Sequence, residues 1–300
     1  MKKHAYIITS NSNLSVLEKC LELIDDVRND IYLLFDKKAK ISKEYRNKLF
    51  TLLKYSNLYI LPDIIINWAG YSQISAVINL LKSVCESGVD YQYIHFFQGS
   101  DLPIKSQNHI HEYCMRNYGY EFVMVEKDRC EMAKNKARYR HFLCHNRFFR
   151  TNKFIKILNF GFVLLQKIFN IQKNKDIKLY QGSALFSITL NCAKYLVSME
   201  KEIHKRFRFS LAGDEVFIQT MLMKSNFKIK DMDMDSSSNL RLIDRTRPER
   251  KNSPHVWRSD EYSYLISLPE NMLFSRKFDE NIDFDVVEKV YNNLKALEYF

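Results

Sequence analysis

The stretch YIHFFQGSDLPIKS, Tyr93 to Ser106, is a run of aromatic and β-branched residues that stops at Gly99-Ser100-Asp101 and passes into Leu102-Pro103. Such a run suits a buried strand. A strand this apolar that ends on a carboxylate has two readings. In an α/β protein the carboxyl end of the sheet is where ligands bind, so Asp101 can face one. An Asp ahead of Leu-Pro can equally serve only to shape a turn. Upstream, HAYIITS (4–10), NDIYLLFD (29–36) and LYILPD (58–63) read as three more strands, and the second also ends in a carboxylate, Asp36, followed by Lys37 and Lys38. Between them NLSVLEKCLELID, with Asn13 as a candidate cap, YRNKLFTLLKY and YSQISAVINLLKSVCES carry helical spacing. The order βαβαβαβ predicts an α/β fold with a mostly parallel central sheet and helices on both faces.

The second half is less regular. EFVMVE reads as a strand, GSALFSITLNCAKYLVSM as loop, short strand and helix, DEVFIQTMLMKS as a helix, DMDMDSSSNLRLID as a turn and strand, and the chain is helical from about Asp285. Three hundred residues, 46% hydrophobic, with only 7 Gly and 5 Pro and no linker-like tract, predict one domain over 1–300.

The charge is localised. The segment 127–178 holds fourteen Lys and Arg against Asp128, Glu131 and Asp176, which accounts for the whole net charge of +11. A block of that sign suits a polyanion, a nucleotide phosphate or an anionic membrane face, with a solvated surface as the plain alternative. Nucleic acid is the weaker partner, because no helix-turn-helix, zinc-finger or RNP pattern accompanies the charge. The same segment contains FIKILNFGFVLLQKIFNI (154–171), whose polar interruptions and helical spacing predict an amphipathic helix rather than a span. The six cysteines lack paired spacing, and no secretory leader is evident, so reduced thiols and a cytosolic protein are expected. His141, Cys144, His145 and Cys130 could hold zinc, but no C-x2-C pair supports them and no metal is expected.

Two strands ending in Asp36 and Asp101, a basic block, and the absence of G-x-G-x-x-G or G-x4-G-K-[ST] loops point to a nucleotide-using enzyme outside the dehydrogenase and P-loop classes. RNDIYLLFDKKA, INWAGYSQISAVINLLKSV, YIHFFQGSDLPIKS, YQGSALFSITLNCAKYLV, LAGDEVFIQTMLMKS and LFSRKFDE follow in this order. As a set they resemble the core-2/I-branching β-1,6-N-acetylglucosaminyltransferase family, glycosyltransferase family 14, in its short bacterial form, over about residues 4 to 285. The resemblance implies a GT-A type fold, a UDP-sugar donor with UDP-GlcNAc first and UDP-xylose second, inversion at the anomeric carbon, and no metal or other cofactor. It also implies a glycan or lipid-linked glycan acceptor in bacterial surface polysaccharide synthesis. The rival reading is a non-catalytic glycan- or nucleotide-binding protein of the same fold.

The resemblance carries roles onto individual residues. Glu215 matches the acidic pair of the family's helix-start motif as catalytic base, and Asp214 beside it is taken as an acceptor contact, with helix capping as the structural alternative for both. Lys277 matches the family lysine that, with an arginine, replaces a metal at the diphosphate; Arg258 is the first candidate for that arginine, with Arg250 and Arg276 as alternatives. Asp36 matches a nucleotide-contacting aspartate, and Asp101 is given a positioning role beside the donor. Gly182 and Ser183 match the loop against which the acceptor sugar would lie. Trp68 and Ser72 fit W-x-x-x-S, where a buried packing Trp is the common case. Asp244 and Arg245 stand where animal members carry aromatic residues. Asp231, Asp233 and Asp235 look like D-x-D but read as a solvated turn. The basic insertion, about 127–178, suits peripheral docking on anionic lipid.

Overall fold

The computed structural model describes residues 2–230, 238–247 and 253–298. Asp231, Asp233, Asp235 and Arg250 therefore lie outside the described residues. The strands, in chain order, are β1 (Lys3–Ser10), β2 (Asn29–Phe35), β3 (Asn57–Ile60), β4 (Tyr91–Gln98), β5 (Asp101–Pro103), β6 (Tyr120–Val123), β7 (Phe186–Thr189), β8 (Lys228–Ile229), β9 (Arg241–Ile243) and β10 (Phe274–Arg276). Seven of them form a sheet in the order β3-β2-β1-β4-β7-β6-β8. The pairs β3–β2, β2–β1, β1–β4 and β6–β8 are parallel, whereas β7 runs antiparallel to both β4 and β6. The mostly parallel sheet is therefore as the sequence predicts.

The period of two along each strand divides the core. Ala5 and Ile7 of β1, Tyr32 and Leu34 of β2, and Ile94 and Phe96 of β4 face one cluster. Tyr6 and Ile8, Ile31 and Leu33, and Tyr93 and Phe97 face the other. Helix Ser72–Glu86 covers the first face through Ile74, Val77, Ile78 and Leu81; helices Leu14–Leu23 and Asp285–Glu298 cover the second. Three helices in the body of the fold start on a side-chain cap: Ser42 Oγ accepts from the Tyr45 N–H, Ser106 from His109, and Thr189 from Cys192, each contact stabilising by about 1 kcal/mol. Asn13 departs from expectation. It stands at the cap position in a left-handed conformation, and its side chain makes no cap hydrogen bond.

A second sheet was not legible in the sequence. Its three strands of three residues, in the order β5-β10-β9, come from points far apart in the chain. Asp101, which could have been only a turn residue, opens β5 and stands opposite Arg276 of β10 in the antiparallel register. Arg241 of β9 ties this sheet to the main one. It is buried, and its guanidinium donates to the carbonyls of Phe96 (3.0 Å), Phe186 (2.8 Å) and Asn239 (2.5 Å). Burial lowers its pKa to about 9, and these carbonyls replace the water that the cation has lost.

The insertion contains helices Cys130–Ala137 and Lys153–Ile168. The second has Asn152 as its cap, accepting from the N–H groups of Phe154 and Ile155. Among the described residues no helix is long and apolar enough to cross a membrane. All six cysteines are free. The imidazole of His141 is engaged at both nitrogens, by Asn159 Nδ2 (3.0 Å) and the Asn135 carbonyl (3.0 Å), which leaves it no lone pair for zinc.

Candidate functional site

A cleft of about 610 Å³ opens at the carboxyl ends of β1, β2 and β4. The chain leaves β1 toward β2 on one side, while β4 lies on the other, so the cleft sits at the point where strand order reverses. Thr9–Asn13 after β1, Asp36 after β2 and Gln98–Ser100 after β4 form its floor. The 183–185 loop with Asp214 and Glu215 forms one wall; Ile243, Arg245, Arg276, Lys277, Asp279 and Asn281 form the other; Trp68, Arg150 and Lys156 stand at the mouth.

The floor is narrow because the loops meet closely. A Cβ on Gly99 would lie 2.5 Å from Ser10 Oγ, so the backbone after β4 can approach the β1 loop only with glycine there. Asp36 is largely buried in the floor, and its Oδ1 accepts from the N–H groups of Lys38 (3.0 Å) and Ile66 (3.3 Å), with Lys38 Nζ 3.3 Å from Oδ2. These contacts fix the carboxylate at the end of β2.

On the acidic wall, Asp214 and Glu215 lie in the short turn Gly213–Glu215. Neither caps the following helix, Phe217–Met223, whose cap position is Val216 and has no side-chain cap bond; the capping alternative is thus set aside. Asp214 is buried. Its Oδ2 accepts from Gln73 Nε2 at 3.1 Å, while Oδ1 has no partner among the described residues. Burial, reinforced by the neighbouring Glu215 charge, raises the Asp214 pKa to about 7. Glu215 is ion-paired with Lys136 of helix Cys130–Ala137. Sequence reasoning missed Lys136, because an insertion lysine carries no local mark of the carboxylate it meets 79 residues later.

On the cationic wall, Arg276 Nη1 donates to Asp101 Oδ1 at 2.7 Å, and Asp101 Oδ2 accepts from the Gln98 N–H at 2.8 Å. Asp101 is itself only 2% exposed and absent from the cleft lining, so it meets the cleft through Arg276. Lys277 Nζ lies 3.5 Å from Asp279 Oδ2. Arg245 is exposed at the rim. Asp244 points elsewhere, accepting from Thr246 and Arg247 to hold a turn.

Three expectations change. Arg258 is not part of the cleft; it starts the turn Ser259–Glu261, its N–H donating to Glu261 Oε2 at 3.1 Å, and Arg276 occupies the position beside Lys277 instead. Gly182 also lies off the lining, and the reason for glycine is internal: a Cβ there would overlap the Met124 carbonyl oxygen. Ser183 does line the cleft, its Oγ accepting from the Leu185 N–H. Trp68 is not a packing residue. It is 45% exposed, with the Arg150 guanidinium 5.8 Å from its ring centroid, while Ser72 Oγ accepts from the Asn67 N–H at 2.7 Å.

Among the described residues, one trio could converge on a metal, His4, His95 and Cys114. It is buried beneath the sheet away from the cleft, with His4 Nδ1 and His95 Nε2 hydrogen-bonded to each other at 3.1 Å.

The sequence matches the family model described as Core-2/I-Branching enzyme over residues 4–267. This chain belongs to the Core-2/I-Branching enzyme family. The match to Core-2/I-Branching enzymes takes in Asp36, Asp101, Ser183, Asp214 and Glu215 and ends before Arg276 and Lys277. Membership makes the chain a glycosyltransferase, an enzyme that moves a sugar from a nucleotide-sugar donor to a glycan acceptor and releases the nucleotide. No curated protein matches it in sequence. Among solved structures it is similar to mouse xyloside xylosyltransferase 1 in the apo form, at 12% identity and TM-score 0.41, covering 94% of this chain and 99% of that one. It is also similar to the apo form of the glycosyltransferase GlyE of Streptococcus pneumoniae TIGR4, at 9% identity and TM-score 0.39, covering 99% of this chain and 64% of that one.

Proposed function

We propose that the chain is an inverting, metal-independent transferase of GT-A type that moves a sugar, N-acetylglucosamine first, from its UDP donor to a glycan hydroxyl in β linkage. The acceptor is a bacterial surface polysaccharide or its lipid-linked precursor, and the enzyme works on the cytosolic side. The observation that carries this reading is one cleft at the strand-order reversal with a carboxylate pair on one wall and Arg276, Lys277 and Arg245 on the other. Asp36 and the Thr9–Asn13 loop receive the nucleoside at the floor. The cations receive the diphosphate, and fixed positive charge at the leaving oxygen does the electrostatic work that a divalent ion does elsewhere.

In the reaction the acceptor hydroxyl oxygen attacks the anomeric carbon as the bond to the UDP oxygen breaks, and its proton passes to the Glu215 carboxylate. One in-line displacement inverts the centre. Lys136 holds Glu215 in place. Asp214, buried beside it with a raised pKa and an Oδ1 without a partner among the described residues, lines the acceptor side of the cleft. Asp101 is a positioning residue that acts through Arg276.

A UDP-sugar panel tests this, with UDP release followed for wild type and Glu215→Gln, each in Mn²⁺ and in EDTA. Release specific to one sugar that survives EDTA and falls in the Gln variant is expected. Release that requires Mn²⁺ overturns metal independence, and equal release by the Gln variant overturns Glu215 as the base.

A further inference from the structure

Helix Lys153–Ile168 is mounted with its apolar side outward. Its buried residues are Asn159, Val163 and Gln166, so two of the three are amides. Both amides are engaged with the preceding part of the insertion, residues 140–143. Asn159 Nδ2 meets His141 Nδ1 at 3.0 Å, and Gln166 exchanges two hydrogen bonds with the backbone of Arg140, at 2.8 and 2.9 Å. Turning the helix over would break these contacts, so its orientation is fixed by polar bonds. The opposite side carries Phe154, Ile157, Phe160, Leu164, Leu165 and Ile168, each between 46% and 67% exposed. At 3.6 residues per turn these six residues sweep an arc of about 140°, which Leu158 and Phe162, 42% and 45% exposed, widen to about 200°. An uncovered apolar face of this width on a surface helix marks a docking surface.

Charge identifies the occupant. Lys156 and Lys167 border the arc on one side, Lys153 precedes it, and the surrounding segment 127–178 holds fourteen cations against three acids. A second copy docking face to face would bring this block against itself. An anionic surface with an apolar interior accepts both parts of the pattern at once. The cleft adds a direction, because Arg150 and Lys156 belong both to this segment and to the cleft mouth.

We propose that helix Lys153–Ile168 lies flat in the surface of an anionic lipid bilayer, its apolar arc among the acyl chains and its lysines at the head groups, which sets the mouth of the cleft at the lipid–water boundary. The docking stands on the helix and its charges and is independent of the transferase reading. With that reading it makes the acceptor a glycan carried on a lipid, presented at the membrane surface.

Vesicle sedimentation tests the proposal without turnover. The full chain is mixed with phosphatidylcholine vesicles that contain none or about 30% phosphatidylglycerol, alongside the variants Ile157→Asp/Ile168→Asp and Lys153→Glu/Lys167→Glu. All four positions are exposed, and a far-ultraviolet melt confirms each variant's fold. The expected result is binding to the anionic vesicles, a drop of about tenfold in the bound fraction for either variant, and partial release at high salt. Wild type that binds anionic vesicles no better than neutral ones overturns the proposal. So does binding that the Asp variant leaves intact. Sedimentation equilibrium without lipid supplies the remaining outcome: a wild-type dimer that the Asp variant makes monomeric assigns the face to a second copy and overturns the lipid assignment.

Discussion

The two walls of the cleft place charge by the same means but with opposite burial. On the cationic wall the charge that faces the cleft, Arg276, is held by Asp101, which is buried and outside the lining. On the acidic wall the pair is divided: Glu215 is held by Lys136 from the insertion, whereas Asp214 is buried with one oxygen unpartnered among the described residues and its pKa raised to about 7. The cationic wall therefore presents arginine and lysine to the cleft, while on the acidic wall burial raises the pKa of one carboxyl, Asp214, well above the usual carboxylate range. In the proposed reaction the first wall suits the diphosphate, and Glu215 of the second takes the proton of the acceptor hydroxyl.

The largest expected effect breaks the acidic wall. Glu215→Gln keeps the shape and removes the base, and turnover falls by about 10²–10⁴-fold in a single-turnover assay while UDP affinity stays near wild type. On the other wall, Lys277→Met lowers kcat by about 10²-fold in the same assay, because one fixed cation at the leaving oxygen is lost. Asp101→Asn sharpens the distinction between touching ligand and positioning a residue that does. It destabilises the fold by about 1–3 kcal/mol in urea denaturation, and it weakens UDP binding only in step with the loosening of Arg276.

Asp214 sets a pH dependence of stability. Its folded pKa of about 7 lies above the ordinary 3.8, so between these values the folded chain binds the proton that the unfolded chain has released. Its contribution is complete below the unfolded pKa and is lost as pH rises through about 7. Asp214→Asn removes this loss. The melting temperature of the variant relative to wild type should climb from pH 4 to pH 7 and level off above. The smallest effect is a control away from both walls. The Lys48–Glu18 ion pair is surface-exposed at the lysine, and Lys48→Met should change stability by less than about 0.5 kcal/mol.

The same comparison separates what the sequence revealed from what it could not. The first four main-sheet strands and helix Ser72–Glu86 are written in local periodicity, and the residues that end β1, β2 and β4 fall where strand ends fall. Asp36 ends a recognisable strand, whereas Asp214 and Glu215 are assigned through the family resemblance of LAGDEVF and by no local pattern. The cationic wall depends on β5, β9 and β10, three-residue strands that exist only because they pair across the fold. No window of sequence contains that pairing, so Arg258 stood as the first candidate in place of Arg276, and Arg241 passed unnoticed. Lys136 was illegible for the same reason. Helix Lys153–Ile168 teaches a further limit: periodicity tells which residues share a face, but the partners of Asn159 and Gln166 decide which face turns inward.

The central claim is that Arg276 and Lys277 grip a diphosphate without a metal. Calorimetric titration of wild type and Arg276→Met with UDP and with uridine, all in EDTA, tests it most directly. The account predicts that wild type binds UDP in EDTA, and that the variant loses about tenfold or more in UDP affinity with uridine binding nearly unchanged. UDP binding that appears only with Mn²⁺, or equal loss of UDP and uridine in the variant, would contradict it.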